Sequence, residues 1–284
     1  MGSLPSRVGV IGGGTMGAGI AHVFLTAGAA VTVVESDDDR AAAARRALQQ
    51  SLQGAADRGK LPEGTDVEGL VDATTIVVGV DHLPPDTGLV VEAVPERVDL
   101  KQEILGAAAR RCPDAVLATN TSSLSVGGIG RELPHGRLVG MHFFNPVPAQ
   151  KLVELIRPSG LDDDVVEQAR GWVEALGKTA IVVDDAPGFA TSRLGVAVGL
   201  EAIRMLEEGV ASAADIDTGM RLGYRWPVGP LELTDIVGLD VRLAIAEHLA
   251  EELGDRFAPP QLLRDKVARG ELGRKSGQGF HRWD

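Results

Sequence analysis

The sequence predicts an α/β chain: a doubly wound, mainly parallel sheet over residues 1–185, followed by an all-helical region over 186–284. Three observations carry this reading. Short, continuously apolar runs alternate with stretches of helical composition, the pattern of a parallel sheet covered on both faces. The first run leads into Gly12-Gly13-Gly14-Thr15-Met16-Gly17, a glycine turn that opens a helix. After Asp184 the pattern changes to longer helical stretches with helix-start and helix-stop residues.

Val8-Gly9-Val10-Ile11 is the first strand. A helix from about 15 to 28 and a second strand over 30–35 follow. Asp37-Asp38-Asp39 then sets negative charge at the start of a helix, where the dipole favours it, and that helix continues to about Lys60. Buried-type strands are expected over 75–80, 89–94, 115–121 and 138–144, with a helix around 100–111 and a further strand over 151–156. Residues 187–209 read as one apolar helix, with Pro187 near its first turn and Gly209 past its end. Ser212-Ala213-Ala214-Asp215 has capping-box form and opens a helix stopped at Gly223. Asp240 is placed to cap a third, running to Gly254.

A length of 284 residues, 44% hydrophobic and 24% charged, suits an ordinary globular protein of two domains. The net charge of −12 argues against a nucleic-acid partner, because polyanion binding needs a basic face. A few local Arg and Lys can still hold a small anion. The single Cys112 excludes an internal disulfide framework and a thiolate metal cluster. No apolar run approaches the ~18 residues that would make a membrane span, and the first residues lack an apolar leader core. The expected location is the cytoplasm, with no membrane partner.

The glycine turn fits G-x-G-x-x-G, a weak signal alone. Here it follows an apolar strand, opens a helix and is trailed by Glu35 at the end of the second strand, near the expected ~20-residue offset. Gly12 permits the tight turn, Gly14 lets backbone N–H groups approach a pyrophosphate, and Gly17 lets helix and strand pack closely. Gly13, Thr15 and Met16 complete the loop. Glu35 is suited to accept from ribose hydroxyls and to repel a 2′-phosphate, which favours NAD over NADP. A glycine-rich turn without ligand is the plainer alternative.

Met141-His142-Phe143-Phe144-Asn145-Pro146-Val147-Pro148 ends one strand and Lys151 opens another. A hairpin centred on Pro148 sets His142 opposite Glu154, within hydrogen-bonding reach. A carboxylate there fixes the imidazole tautomer and makes the ring a competent base. A surface hairpin with a solvated His and Glu has the same spacing, so spacing leaves both open. Asn120-Thr121-Ser122-Ser123 lies at the carboxyl edge of the sheet, where its polar groups can hold a substrate oxygen or a nicotinamide; it is equally composed as a helix N-cap. His22, His82, His135, His248 and His281 read as ordinary structural or surface residues, and no metal site is expected.

Seven segments in order resemble the 3-hydroxyacyl-CoA dehydrogenase family: VGVIGGGTMGAGIA, VVEAVPERVDLK, ATNTSSL, HFFNPVPAQKLVELI, DAPGF, VGPLELTDIVGLD and GRKSGQGF. The resemblance implies a Rossmann-like NAD domain and a short-chain 3-hydroxyacyl-CoA substrate, and the apolar helices after 185, in a domain too small to be all core, suggest a homodimer formed there. It implies that His142 takes the hydroxyl proton, that Glu154 pairs with it, and that Ser122 contacts the reacting oxygen. Asn145 falls beside the cofactor and active site, Glu96 and Lys101 match a cofactor-contacting pair, and Lys275 matches a cofactor contact from the tail. Read bottom-up, Glu96 and Lys101 fit equally a helix-start acid and its partner. Ser51, Arg58 and Lys60 fall where the family contacts coenzyme A, although two cations there also suit a solvated helix face.

One departure stands out. Where the family has Asn after DAPGF, this chain has Ser192, shorter and with one donor in place of two; chain-length preference is the property most exposed to that change. Glu35 stands where the family usually has Asp. Two rival readings are a relative acting on a sugar acid or carnitine-like alcohol, and a non-catalytic NAD-binding dimer.

Overall fold

The computed structural model describes residues 3–61, 64–134 and 136–283, so the reading of His135 lies outside the described residues. The chain divides into two compact units, Met1–Asp185 and Ala186–Asp284.

In the first unit β1 (Arg7–Ile11), α1 (Thr15–Thr26), β2 (Ala30–Glu35), α2 (Asp38–Asp57), α3 (Val67–Ala73) and β3 (Thr75–Val78) form the opening half. Then come β4 (Leu89–Glu92), α4 (Val98–Arg111), β5 (Val116–Thr119), the one-turn α5 (Val126–Ile129), β6 (Leu138–Phe143), β7 (Leu152–Arg157), α6 (Asp163–Ala175) and β8 (Thr179–Asp184). One eight-stranded sheet has the order β3-β2-β1-β4-β5-β6-β7-β8. Neighbours pair in parallel except β6 with β7, which are antiparallel. The exception has a plain cause: β6 and β7 are joined by a short loop over 144–151, which permits only a hairpin, whereas parallel neighbours need a long crossover.

The continuously apolar runs lie on central strands. Leu89, Val90 and Val91 of β4 are fully buried, and Val10 of β1 packs in one core with Ile20 and Phe24 of α1. Each such side chain contributes roughly 1.5–3 kcal/mol on burial. Asp37 caps α2 by accepting from the Arg40 N–H at 2.8 Å, with Asp38 and Asp39 in the first turn. β3 stops at Val78 rather than 80 because Gly79 turns at φ +89° into a 3₁₀ turn.

The second unit is helical: α7 (Thr191–Glu207), α8 (Ala213–Gly223), α9 (Pro230–Val237), α10 (Leu239–Leu253) and α11 (Gln261–Ala268) around Val196, Leu200, Ile203, Leu231, Leu239 and Leu249. Two boundary expectations need correction. α7 begins at Thr191, so Pro187 lies outside it; Gly188 (φ +74°) and Phe189 (φ 51°) form a left-handed turn that cannot continue a helix. α10 is preceded by Gly238, and Asp240 sits within its first turn, with its carboxylate engaged by Lys275 at 2.6 Å instead of capping. Ser212 does cap α8, accepting from the Asp215 N–H at 3.2 Å.

Two fully buried carboxylates hold the end of the chain. Asp235 accepts from the backbone N–H groups of Phe280 and His281 and from Trp283 Nε1, at 2.8, 2.8 and 2.9 Å. Asp217 accepts from the N–H groups of Leu231 and Glu232 at the start of α9 and lies 2.8 Å from His281 Nε2.

Candidate active site

The glycine turn sits where β1 hands over to α1, at the carboxyl edge of the sheet. Gly12 adopts φ +91°, and a β-carbon on Gly17 would lie 1.7 Å from the Gly12 carbonyl oxygen, so side chains are excluded at both. A β-carbon on Gly14, the N-cap of α1, meets nothing within 4 Å and would project into open space. That space belongs to a cleft of about 740 Å³, bordered by Gly12, Gly14, Thr15, Met16, Glu35 and Val94. A backbone stripped of side chains at a helix N-terminus is a cradle for a pyrophosphate, and the residues present therefore fit a dinucleotide. Glu35 ends β2 at this cleft and accepts from the Gly13 N–H at 2.6 Å.

Across the sheet, β6 and β7 pair with His142 directly opposite Glu154, the register expected from a hairpin centred on Pro148. His142 Nδ1 lies 2.7 Å from Glu154 Oε2; the ring is 7% exposed and the carboxylate fully buried. The solvated-hairpin alternative is thereby removed for this pair. Phe144 leans on the imidazole, ring centroids 4.4 Å apart. The carboxylate beside Nδ1 fixes the orientation of the imidazole ring.

Between these two features runs a chain of charges. Glu92, at the end of β4, is fully buried; it accepts from Thr119 Oγ1 at 2.6 Å, from the Val94 N–H at 2.7 Å and from Lys101 Nζ at 2.7 Å. Lys101 also reaches Glu96 at 3.2 Å. Glu96 in turn accepts from Thr121 Oγ1 at 2.5 Å and from the Ser122 N–H at 2.9 Å. Burial pushes Glu96 up, but the Lys101 ammonium and the hydrogen bonds from Thr121 and Ser122 outweigh it and hold the carboxyl below its ordinary value. The buried Lys101 ammonium is thus shared between Glu92 and Glu96. Asn120 Oδ1 accepts from the Phe143 N–H at 2.8 Å, tying the ends of β5 and β6 together beside His142. The N-cap alternative for this stretch needs correction: Ser125 caps α5, and Thr121 instead makes a local turn to the Leu124 N–H at 3.0 Å. Asn145 follows β6 and is exposed.

Ser51 lies in α2, its Oγ 2.9 Å from Nδ1 of the buried His22. Arg58 is the exposed C-cap of the same helix, and Lys60 borders a separate cleft of about 400 Å³ with His22, Pro148 and Lys178. Sequence reasoning missed Glu92 and Lys178. Lys178 Nζ donates to the Val147 and Gln150 carbonyls, 2.7 Å each, gripping the loop between His142 and Glu154. A signal existed for Glu92, as an acid closing an otherwise apolar strand. Ser192 is in the first turn of α7, and Lys275 lies in a 3₁₀ turn of the second unit. Among the described residues no group of three or more His, Cys, Asp or Glu is placed to hold a metal, and no helix is long and apolar enough to cross a membrane.

A glycine cradle for a dinucleotide and a buried histidine–carboxylate pair on one sheet define a nicotinamide-dependent dehydrogenase of alcohols. Comparison with known proteins makes the class particular. Residues 7–186 match the NAD binding domain of 3-hydroxyacyl-CoA dehydrogenase, and residues 188–283 its C-terminal domain. The chain belongs to the 3-hydroxyacyl-CoA dehydrogenase family, and NAD is its cofactor. It is 39% identical over 280 residues to 3-hydroxybutyryl-CoA dehydrogenase of Mycobacterium tuberculosis, covering 97% of each chain. Its fold is similar to crystal structures of FadB2 from M. tuberculosis (TM-score 0.93, 38% identity, 99% of this chain and 100% of that one). It is also similar to that of (S)-3-hydroxybutyryl-CoA dehydrogenase PaaH1 from Ralstonia eutropha (TM-score 0.91, 37% identity, 99% and 100%).

Proposed function

We propose that this chain interconverts short-chain 3-hydroxyacyl-CoA and 3-ketoacyl-CoA thioesters, 3-hydroxybutyryl-CoA among them, with His142 as the proton carrier. The observation that carries this is the buried 2.7 Å contact between His142 Nδ1 and Glu154 Oε2. His142 accepts the 3-hydroxyl proton at Nε2, and the Glu154 carboxylate stabilises the imidazolium that results. Ser122 holds the reacting oxygen through its hydroxyl. NAD, when bound, supplies the acceptor for the hydride from carbon 3, so that alcohol becomes ketone as the proton goes to His142.

Gly12, Gly13, Gly14, Thr15, Met16 and Gly17 hold the pyrophosphate and Glu35 the ribose. Glu96 and Lys101 are a cofactor-contacting pair beside Asn120 and Asn145, and Lys275 is a further cofactor contact. Ser51, Arg58 and Lys60 receive the coenzyme A moiety, and Ser192 contacts substrate. The two units act as NAD-binding and substrate domains. A homodimer formed through the second unit is supported by its exposed Leu194, Leu222, Tyr224, Ile236 and Val241, apolar side chains that a partner would cover. A cytoplasmic location is in keeping with the lone buried thiol of Cys112.

The test is steady-state kinetics with a panel of 3-ketoacyl-CoA esters, free 3-keto acids, NADH and NADPH. NADH oxidation with acetoacetyl-CoA, at least tenfold above NADPH, is expected. Activity confined to free acids, or none with any thioester, rejects the assignment.

A further inference from the structure

The loop over 144–151 joins β6 to β7 between His142 and Glu154, and its first residue, Phe144, leans on the imidazole. Lys178, the residue before β8, holds this loop from one side. Its ammonium donates to the Val147 and Gln150 carbonyls at 2.7 Å each, and the next residue, Thr179, donates its N–H to the Lys151 carbonyl at 2.6 Å. Within the loop the Pro146 carbonyl accepts from the Ala149 and Gln150 N–H groups at 2.9 and 3.1 Å.

The other side of the loop rests on α1. Val147 is buried, and a β-carbon on Gly19, in the second turn of α1, would lie 2.9 Å from Val147 Cβ, too close for any side chain to fit without moving the loop. Gly19 is thus a notch that Val147 fills. The same helix begins at the glycine cradle for the dinucleotide. A single loop therefore touches the cofactor helix on one side, the Lys178 ammonium on the other, and the His142 ring at its start.

Stability does not account for the choice of a lysine here. No carboxylate pairs with Lys178 among the described residues, and burial lowers its pKa. An ammonium taken into the interior without a counter-charge loses hydration that an apolar side chain of similar length never had. What it supplies is a pair of charge-assisted hydrogen bonds to carbonyls three residues apart, which fix the shape of the loop.

Alcohol oxidation takes a hydride from carbon 3 and a proton from the oxygen on it, so the nicotinamide and His142 must address adjacent atoms together. We infer that Lys178 is a positioning residue: with the Gly19 notch it clamps loop 144–151 between α1 and β8 and so sets the His142 imidazole relative to the dinucleotide cradle. The inference rests on the reading of His142 as proton carrier to a thioester substrate.

The test is single-turnover stopped-flow of NADH-loaded enzyme with saturating acetoacetyl-CoA, alongside NADH titration and urea unfolding. Lys178→Met should slow hydride transfer roughly thirtyfold, the order expected when a reacting group is displaced by less than 1 Å, with NADH affinity and the KM for the thioester changed less than about threefold. Lys178→Arg, which keeps charged donors, should recover at least about a third of the wild-type rate. Gly19→Ala leaves the ammonium in place and pushes Val147 from the opposite side; it should slow the same step about fivefold. A folded Lys178→Met that transfers hydride within threefold of wild type overturns the inference, and so does one changed only in its urea midpoint, its NADH affinity or its KM. A folded Lys178→Arg as slow as Lys178→Met overturns it too. Where Lys178→Met does not fold, Gly19→Ala decides, and a wild-type rate there overturns it. If wild type reduces no thioester, the reading of the site fails and this inference with it; if wild type is active and the variants keep its rate, that reading stands and this inference alone falls.

Discussion

Glu154 of the first unit and Asp235 of the second are equally buried, yet their partners differ in kind. Glu154 faces an imidazole across a β-hairpin. Asp235 faces two backbone N–H groups and an indole N–H, none of which ionises near neutral pH. Asp217 stands between them, with two backbone amides and the His281 ring. A carboxylate satisfied by fixed donors serves as a structural anchor. One that meets a titratable ring stabilises that ring's cationic form, which is what acid–base chemistry needs. Burial alone does not separate the two jobs; the chemistry of the partner does.

The largest expected effect tests the first half of this contrast. His142→Ala should lower kcat about a thousandfold, within the range attributed to a positioned general base, with NADH affinity changed less than threefold. Glu154→Gln, which keeps shape and removes charge, should lower kcat about a hundredfold. Fluorescence titration of NADH alongside the kinetics separates loss of chemistry from loss of the cofactor site. Retention of most turnover in His142→Ala would remove the proton carrier and with it the distinction.

Asp235→Ala should show the reverse pattern. Three donors lose their acceptor in the interior, which costs about 3 kcal/mol or more. A lower urea midpoint is therefore expected, while kcat/KM per folded molecule moves less than threefold. Lost turnover at unchanged stability would mean that Asp235 belongs to the chemistry after all.

These two carboxylates were not equally visible in the sequence. The His142–Glu154 register was legible because a hairpin loop with two prolines fixes the centre of symmetry, and strand periodicity then dictates what faces what. The sheet was legible for the same kind of reason: apolar runs such as Leu89-Val90-Val91 have no other stable setting. Asp217 and Asp235 were not, because their partners are distant backbone amides, and a backbone amide leaves no trace in composition. The Glu92–Lys101–Glu96 chain was half visible; nine residues separate Glu92 from Lys101, and only the turn from β4 into α4 brings them together. α6, β8, α9 and α11 were not singled out either, since none carries a motif as strong as the glycine turn. The false starts at Pro187 and Asp240 came from reading a residue's preference where backbone sign at Gly188 and Phe189, or an ion pair with Lys275, decided the outcome.

His22 offers the smallest and sharpest test, because it is a buried imidazole whose Nδ1 meets the Ser51 hydroxyl rather than a carboxylate. Burial, reinforced by the charges of Lys178 and Arg58, lowers its pKa from 6.5 to about 4. The folded chain therefore keeps the ring neutral where the unfolded chain takes up a proton. The stabilisation is complete above about pH 6.5 and is lost as pH falls from 6.5 towards 4. At pH 5 the loss is roughly 2 kcal/mol relative to neutral pH. Urea unfolding at pH 7 and pH 5 should show that difference in wild type and a smaller one in His22→Asn, which removes the titrating ring. Equal pH dependence in the two proteins would show that a buried imidazole here tolerates its charge without a carboxylate, and the weight placed on Glu154 would have to be reduced accordingly.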